Sequence, residues 1–193
     1  MPTKIPGYDY GSVFHSPVLM NHLRSLEQAA DFSEEDVKWL RAAGPVLASQ
    51  AERIVDSWRT RIADHPDMMR VFFGPNGEPD DSYKAAVKKR FVQWVVDSCE
   101  RPHDQQWLDY QDEIGKRHTP AKKNAAEHTY TPPVVPLRFL IAFSAVVATT
   151  IRPFLESSGR DASEIQRMQD AWTKSMLLQL ALWSRPYVSE TLW

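Results

Sequence analysis

Apolar residues recur at three- and four-residue steps along most of the chain, and nowhere do they alternate with polar ones for the length of a strand. The clearest stretch follows Asp161. There Ile165, Met168, Trp172, Met176, Leu180 and Trp183 share a helical face, and Asp161 with Glu164 has the form of a capping box with Asp in place of Ser or Thr. A short helix is predicted over about 18–30, with Leu19, Leu23 and Leu26 on one side. Ser33, followed by Asp36, marks the start of a second helix, which carries Val37 and Leu40 and meets a break or kink at Gly44-Pro45. A third, about 46–64, sets Leu47, Ile54, Trp58 and Ile62 on a 3.6-residue period and stops before His65-Pro66. A helix over about 81–99 turns Tyr83, Val87, Phe91, Trp94 and Val95 inward. Another, about 104–118, puts Trp107, Gln111, Ile114 and His118 on one face. Pro136 suits the first turn of a helix running to about Phe154, which Pro153 ends or bends. Residues 1–16 have no helical period and form an irregular arm, and 119–135 form a long polar, proline-rich loop. The pattern predicts an all-α chain of seven or eight helices.

Composition narrows the class. With 193 residues, 42% hydrophobic and 25% charged, the chain is long enough for one domain over 1–193 with a full core. A net charge of −2 gives no basic surplus for nucleic acid or anionic lipid. The run Phe139–Val147 is too short to span a bilayer, and no apolar segment follows a basic N-terminus, so a cytoplasmic protein without a membrane partner is expected. A single cysteine, Cys99, rules out an internal disulfide, a C-x-x-C-H haem attachment and cysteine-rich zinc sites. Seven tryptophans and eight phenylalanines suit an ordinary aromatic core, or a core wrapped around something flat.

None of the six histidines lies three or four residues from another, so no local zinc pair exists, and no phosphate-binding glycine loop or nucleophile elbow occurs. His118 differs from the rest in ending a helix on the face of Ile114 and Trp107. A haem iron held by one histidine needs a neutral imidazole fixed at such a place, with its other nitrogen hydrogen-bonded. A core or capping histidine satisfied by the last helix carbonyls would show the same pattern.

Longer strings decide between these readings. Trp107-Leu108-Asp109-Tyr110-Gln111, then Glu113-Ile114-Gly115 and Arg117-His118, resemble the proximal-helix signature of the protoglobins, single-domain relatives of the sensor module of globin-coupled sensors. The resemblance extends almost end to end, through Ile5-Pro6-Gly7-Tyr8, Lys89-Arg90-Phe91, Lys122-Lys123-Asn124, Ala142-Phe143, Pro153-Phe154-Leu155 and Ala181-Leu182-Trp183-Ser184. It implies a globin fold of helices packed three on three, with an additional N-terminal helix and an arm that buries the cofactor and leaves narrow tunnels. It also implies a non-covalent b-type haem with His118 as iron ligand, and a pocket lined by Trp58, Phe72, Phe91 and Phe143, with Leu140 one turn before Phe143 and Val95 on the inward face of its helix. A homodimer through the last two long helices is implied too. Whether Met168, Trp172, Met176 and Trp183 serve that interface or the core stays open.

Two departures bear on function. The residue after the pocket tryptophan is a tyrosine in the family pattern and is Arg59 here, either turned inward toward a bound ligand or outward to solvent. Ser144-Ala145-Val146-Val147 replaces bulkier residues and a proline, which would widen the pocket or a tunnel. The expected function is reversible binding of diatomic gases (O2, CO, NO). The alternative is a haem enzyme acting on nitric oxide, nitrite or peroxide, or one capable of carbene transfer.

Overall fold

The computed structural model describes residues 5–193, so Met1–Lys4 of the expected arm lie outside the described residues. The remainder of the arm is irregular up to the first helix. Nine α-helices follow among the described residues: α1 (Met20–Ala29), α2 (Glu34–Ala48), α3 (Ala51–Ala63), the single turn α4 (Pro66–Met69), α5 (Asp81–Glu100), α6 (Gln105–Lys116), α7 (Leu137–Thr149), the short α8 (Arg152–Glu156) and α9 (Ala162–Ser184). Phe73 and Pro79 pair across the Asn76-Gly77 turn as an isolated bridge, and no strand occurs among the described residues.

Local chemistry sets most of the ends. The Ser33 N–H donates to Asp36 at 2.8 Å, closing the expected box at the head of α2. Asp161 accepts from the N–H groups of Ser163 and Glu164 at 2.8 and 2.9 Å, and Asp80 and Asp104 cap α5 and α6 in the same manner. Of the break or kink expected at Gly44-Pro45, the break does not occur: α2 continues through Pro45, and the chain turns at Ser49-Gln50. An interior proline costs about 3 kcal/mol. That cost is outweighed because α2 buries Trp39, Leu40, Ala43 and Leu47 between α5 and α9, at about 1.5–3 kcal/mol for each large side chain. Leu19 also departs from expectation. It precedes α1 and is exposed, whereas Leu23 on the same predicted face is fully buried.

The long helix α9 is the hub, packing on α2, α5, α6, α7 and α8, while α3 lies on α5 and α1 on α6. Its core face holds Met168, Trp172, Met176 and Trp183, all buried within this chain. The question left open by the sequence is thereby answered in favour of the core. Trp58, Trp94 and Trp172 form its aromatic centre, with ring centroids 5.6 to 6.4 Å apart. A second, smaller cluster joins Val18, Leu23, Trp107, Leu108, Leu178 and Leu182 beneath α1. The stretch Leu137–Glu156 is longer than the Phe139–Val147 run and is long and apolar enough, by length and composition, to cross a membrane. Here it is interrupted between α7 and α8 and packs along α9.

The helices α6 and α9 cross at a glycine. A Cβ on Gly115 would stand 3.1 Å from the Trp183 Cα and 3.2 Å from its carbonyl oxygen, backbone atoms that cannot rotate away. Gly115→Ala should therefore destabilise the protein by about 1–3 kcal/mol, the usual cost of overpacking. Urea unfolding of the two proteins checks this, and an unchanged midpoint would show that the crossing has slack.

Candidate functional site

His118 lies in the turn immediately after α6, its N–H donating to the Gly115 carbonyl at 3.1 Å. Its Nδ1 lies 2.8 Å from the Ile114 carbonyl. A carbonyl only accepts, so Nδ1 carries the proton and Nε2 keeps its lone pair. The ring stacks on Trp183, with centroids 6.0 Å apart and planes 25° apart. The turn is also pinned from behind. Val135 N–H donates to the His118 carbonyl at 2.8 Å, and the Tyr187 hydroxyl donates to the Val135 carbonyl at 2.6 Å. Burial pulls the His118 pKa down to about 4, against the opposing pull of the Ile114 hydrogen bond. The imidazole is therefore neutral at physiological pH.

His118 opens onto a cavity of about 550 Å³, a size typical of cofactor sites. Of the residues expected there, Arg59, Phe72, Phe91, Leu140 and Phe143 line it together with His118. Ile114, on the predicted face of α6, lines it too, whereas Trp107 at the other end of that helix belongs to the cluster beneath α1. Trp58 and Val95 are not in the wall and stand one layer behind it. Trp58 is fully buried against Phe91, with centroids 5.1 Å apart, and its indole N–H donates to Thr150 at 2.8 Å. Residues one apart on a helix differ by about 100°, so Trp58 in the core leaves Arg59 at the cavity edge. That side chain is neither fully inward nor free: it is 33% exposed and pairs with Asp56 on its own helix at 3.3 Å. Val95 shares the core with Trp58, whereas Phe91, one turn earlier on α5, lines the cavity and Trp94 belongs to both.

Sequence reasoning missed a polar group in the same wall. Arg90 and Arg117 both crowd against Gly7 of the arm, where an added Cβ would lie 2.7 and 3.5 Å from their nitrogens. Gly7 has φ +68°, a conformation that glycine adopts without penalty. Arg90 pairs with Glu127 and donates to the Pro6 carbonyl, while Arg117 donates to Gly7 and pairs with Glu113 at 2.8 Å. Lys123 is buried alongside, its pKa held down at about 8 by burial, and its ammonium donates to Val71 and Thr131 at 2.8 and 2.7 Å. Only the resemblance strings Arg90, Arg117 and Lys122-Lys123 could have flagged this group, since their separation in sequence gives no periodic signal.

An all-helical chain that keeps an aromatic-lined cavity inside, with one neutral histidine at a helix end facing it, has the architecture of a haem globin. The model of the family described as Protoglobin matches residues 19–193. Among solved structures, the globin domain of the Geobacter sulfurreducens globin-coupled sensor superposes with a TM-score of 0.65 at 15% identity. That match covers 86% of this chain and 97% of the other. No match was found among curated proteins. The chain belongs to the protoglobin family and has its all-α globin fold.

The residues present fit the family's cofactor. No group of three His, Cys, Asp or Glu side chains among the described residues could hold a bare metal ion, whereas a flat macrocycle would meet aromatic walls, one free imidazole nitrogen and a pair of guanidinium groups. Neutral burial of His118 has a stability consequence. The unfolded chain takes up the histidine proton near pH 6.5, whereas the folded chain resists until about pH 4. Stability of the cofactor-free protein attributable to this group is complete above pH 6.5 and is lost as pH falls toward 4. Denaturant midpoints for wild type and His118→Gln across that range should show the wild type falling more steeply; parallel curves would mean that the ring is not buried as a neutral base.

Proposed function

We propose that this protein binds haem b non-covalently through His118 Nε2 and that its task is the reversible binding of diatomic gases. The observation that carries this reading is the tautomer. Nδ1–H is committed to the Ile114 carbonyl, so the other nitrogen is held as a lone pair on a residue that lines an apolar cavity. Haem held by His118 would supply an iron able to take up O2, CO or NO.

The chain's own groups then have separable parts. His118 needs no proton removed before it can donate, because its pKa is already near 4. The Ile114 carbonyl and the Trp183 ring hold the imidazole in one orientation. Phe72, Phe91, Phe143 and Leu140 keep water away and offer apolar contact to a macrocycle. Arg90 and Arg117, side by side at Gly7, bring two guanidinium charges to this side of the cavity for the propionates, Arg90 through the nitrogens not engaged with Glu127 and Pro6, and Arg117 from a position fixed by Glu113, Gly7 and Asp9. The direct test is the absorption spectrum of purified protein supplied with haem, with and without CO. A Soret band that shifts with CO is expected. His118→Ala should weaken haem retention by more than the ~10–100-fold that loss of a mere supporting partner brings. Wild type without a Soret band, or a variant that keeps normal loading and ferrous spectra, refutes the assignment.

A homodimer through α7 and α9 is proposed as well. Beyond what its core contacts need, α7 leaves Ile141 54% exposed, with Ala142 and Ala145 exposed beside it, and α9 leaves Leu177 50% exposed. Exposed apolar side chains on two packed helices suit a self-complementary surface. Ile141→Glu combined with Leu177→Glu should turn a dimer into a monomer in sedimentation velocity. A monomeric wild type sinks this part of the proposal.

A further inference from the structure

We propose that Arg59 makes this cavity a site for small monoanions, such as nitrite or azide, in addition to neutral gases; the inference rests on the haem reading above. The argument begins with what Arg59 lacks. A guanidinium has five N–H donors, and among the described residues this one has a single polar contact, to Asp56 at 3.3 Å. Charge-assisted bonds ordinarily run at about 2.7–2.9 Å, so that contact is weak. Asp56 is already served by Lys88, whose ammonium lies 2.8 and 2.9 Å from its two oxygens. Lys88 is also the principal reason that the Asp56 carboxyl sits below its usual range, with Arg59 contributing less. Arg59 can therefore leave Asp56 without stranding a carboxylate.

Position and surroundings favour an incoming anion. Arg59 lies in the cavity wall, and at 33% exposure it keeps part of its hydration, so carrying charge there is inexpensive. Asp56 lines the cavity too, but both of its oxygens are held by Lys88, and the other lining residues that follow Arg59 on α3, Thr60, Ile62 and Ala63, carry no carboxylate to compete for the guanidinium. Of the charged groups from α3 and the first turn of α5 that line the cavity, Arg59 and Lys84 face Asp56, a surplus of one positive charge. A haem propionate is the competing source of negative charge, but it has a better-built partner. Arg90 stands two residues beyond Lys88 on α5, about 200° round the helix, and meets Arg117 at Gly7 rather than the Asp56 side.

The test is a titration of ferric, haem-loaded protein with sodium azide, sodium nitrite and neutral imidazole, followed by absorbance, in wild type, Arg59→Leu and Arg59→Lys. The ratio of azide to imidazole affinity should fall about tenfold in Arg59→Leu, the worth of one charge-assisted hydrogen bond, and recover in part in Arg59→Lys. Azide affinity in wild type should also weaken with added sodium sulfate more than in Arg59→Leu. An unchanged ratio overturns the proposal. So does a loss of haem affinity in Arg59→Leu apoprotein with the ratio intact, which would give Arg59 to a propionate. Wild-type protein that takes up no haem would refute the underlying reading and this inference together, whereas normal haem loading with an unaltered ratio would refute this inference alone.

Discussion

The close crossing of α6 and α9 at Gly115 fixes the position of His118. Only a residue without a side chain lets the α6 backbone approach Trp183 to this distance, and that approach places the next turn, with His118 in it, against the Trp183 ring. The same tryptophan closes the contact from its other side, its indole N–H donating to Gln111 at 2.8 Å. Arg185, two residues further on, reaches Asp112 at 2.6 Å, and Tyr187 ties down the loop that returns toward α7. Helix position, ring orientation and loop path at the histidine thus all depend on one steric allowance.

That arrangement also explains why α6 carries so many buried charged and polar residues. Asp109, Gln111, Asp112 and Glu113 are all buried, yet each has a partner from the arm, from α9 or from its own helix. Burial by itself would push the Glu113 carboxyl up, but hydrogen bonds from Lys122 and Arg117 more than reverse this and leave it low. Removing one partner of such a pair is costly, since it strands a charge. The polar flank therefore clamps α6 to the molecule without using its apolar face, and Ile114 remains free to line the cavity with His118. Elsewhere in the core, Trp58, Trp94 and Trp172 fill space against each other, so the cavity lies beside a packed centre.

Much of this was legible along the chain. The periods of α3, α5, α6 and α9 name several of the largest fully buried side chains, among them Ile54, Trp58, Trp107, Met168 and Trp172, and Asp161 and Ser33 mark the starts of α9 and α2 through chemistry that acts within four residues. The phase of α6 put Ile114 and His118 on one side, where they are found. Periodicity could not tell a wall residue from the layer behind it. Trp58 and Phe91 are both inward, and only the packing of α3 on α5 sends one to the core and the other to the cavity. Pro45 failed as a helix breaker because its penalty is local, while the burial that overrides it comes from helices distant in sequence.

What the sequence determined by itself was the all-α class, most of the long helices with their apolar faces, the family, and a histidine unlike the other five. Those features depend on interactions between residues a few positions apart, or on strings that persist whole. The tertiary structure decided which nitrogen of His118 is free, which aromatic residues touch the cavity, that Arg90 and Arg117 meet at Gly7, and how weakly Arg59 is held. The cavity wall and the meeting of Arg90 and Arg117 are set by distances between groups on different helices or loops, which no local pattern encodes; the His118–Ile114 and Arg59–Asp56 contacts span four and three residues, but a spacing alone does not say which of its side-chain contacts is made.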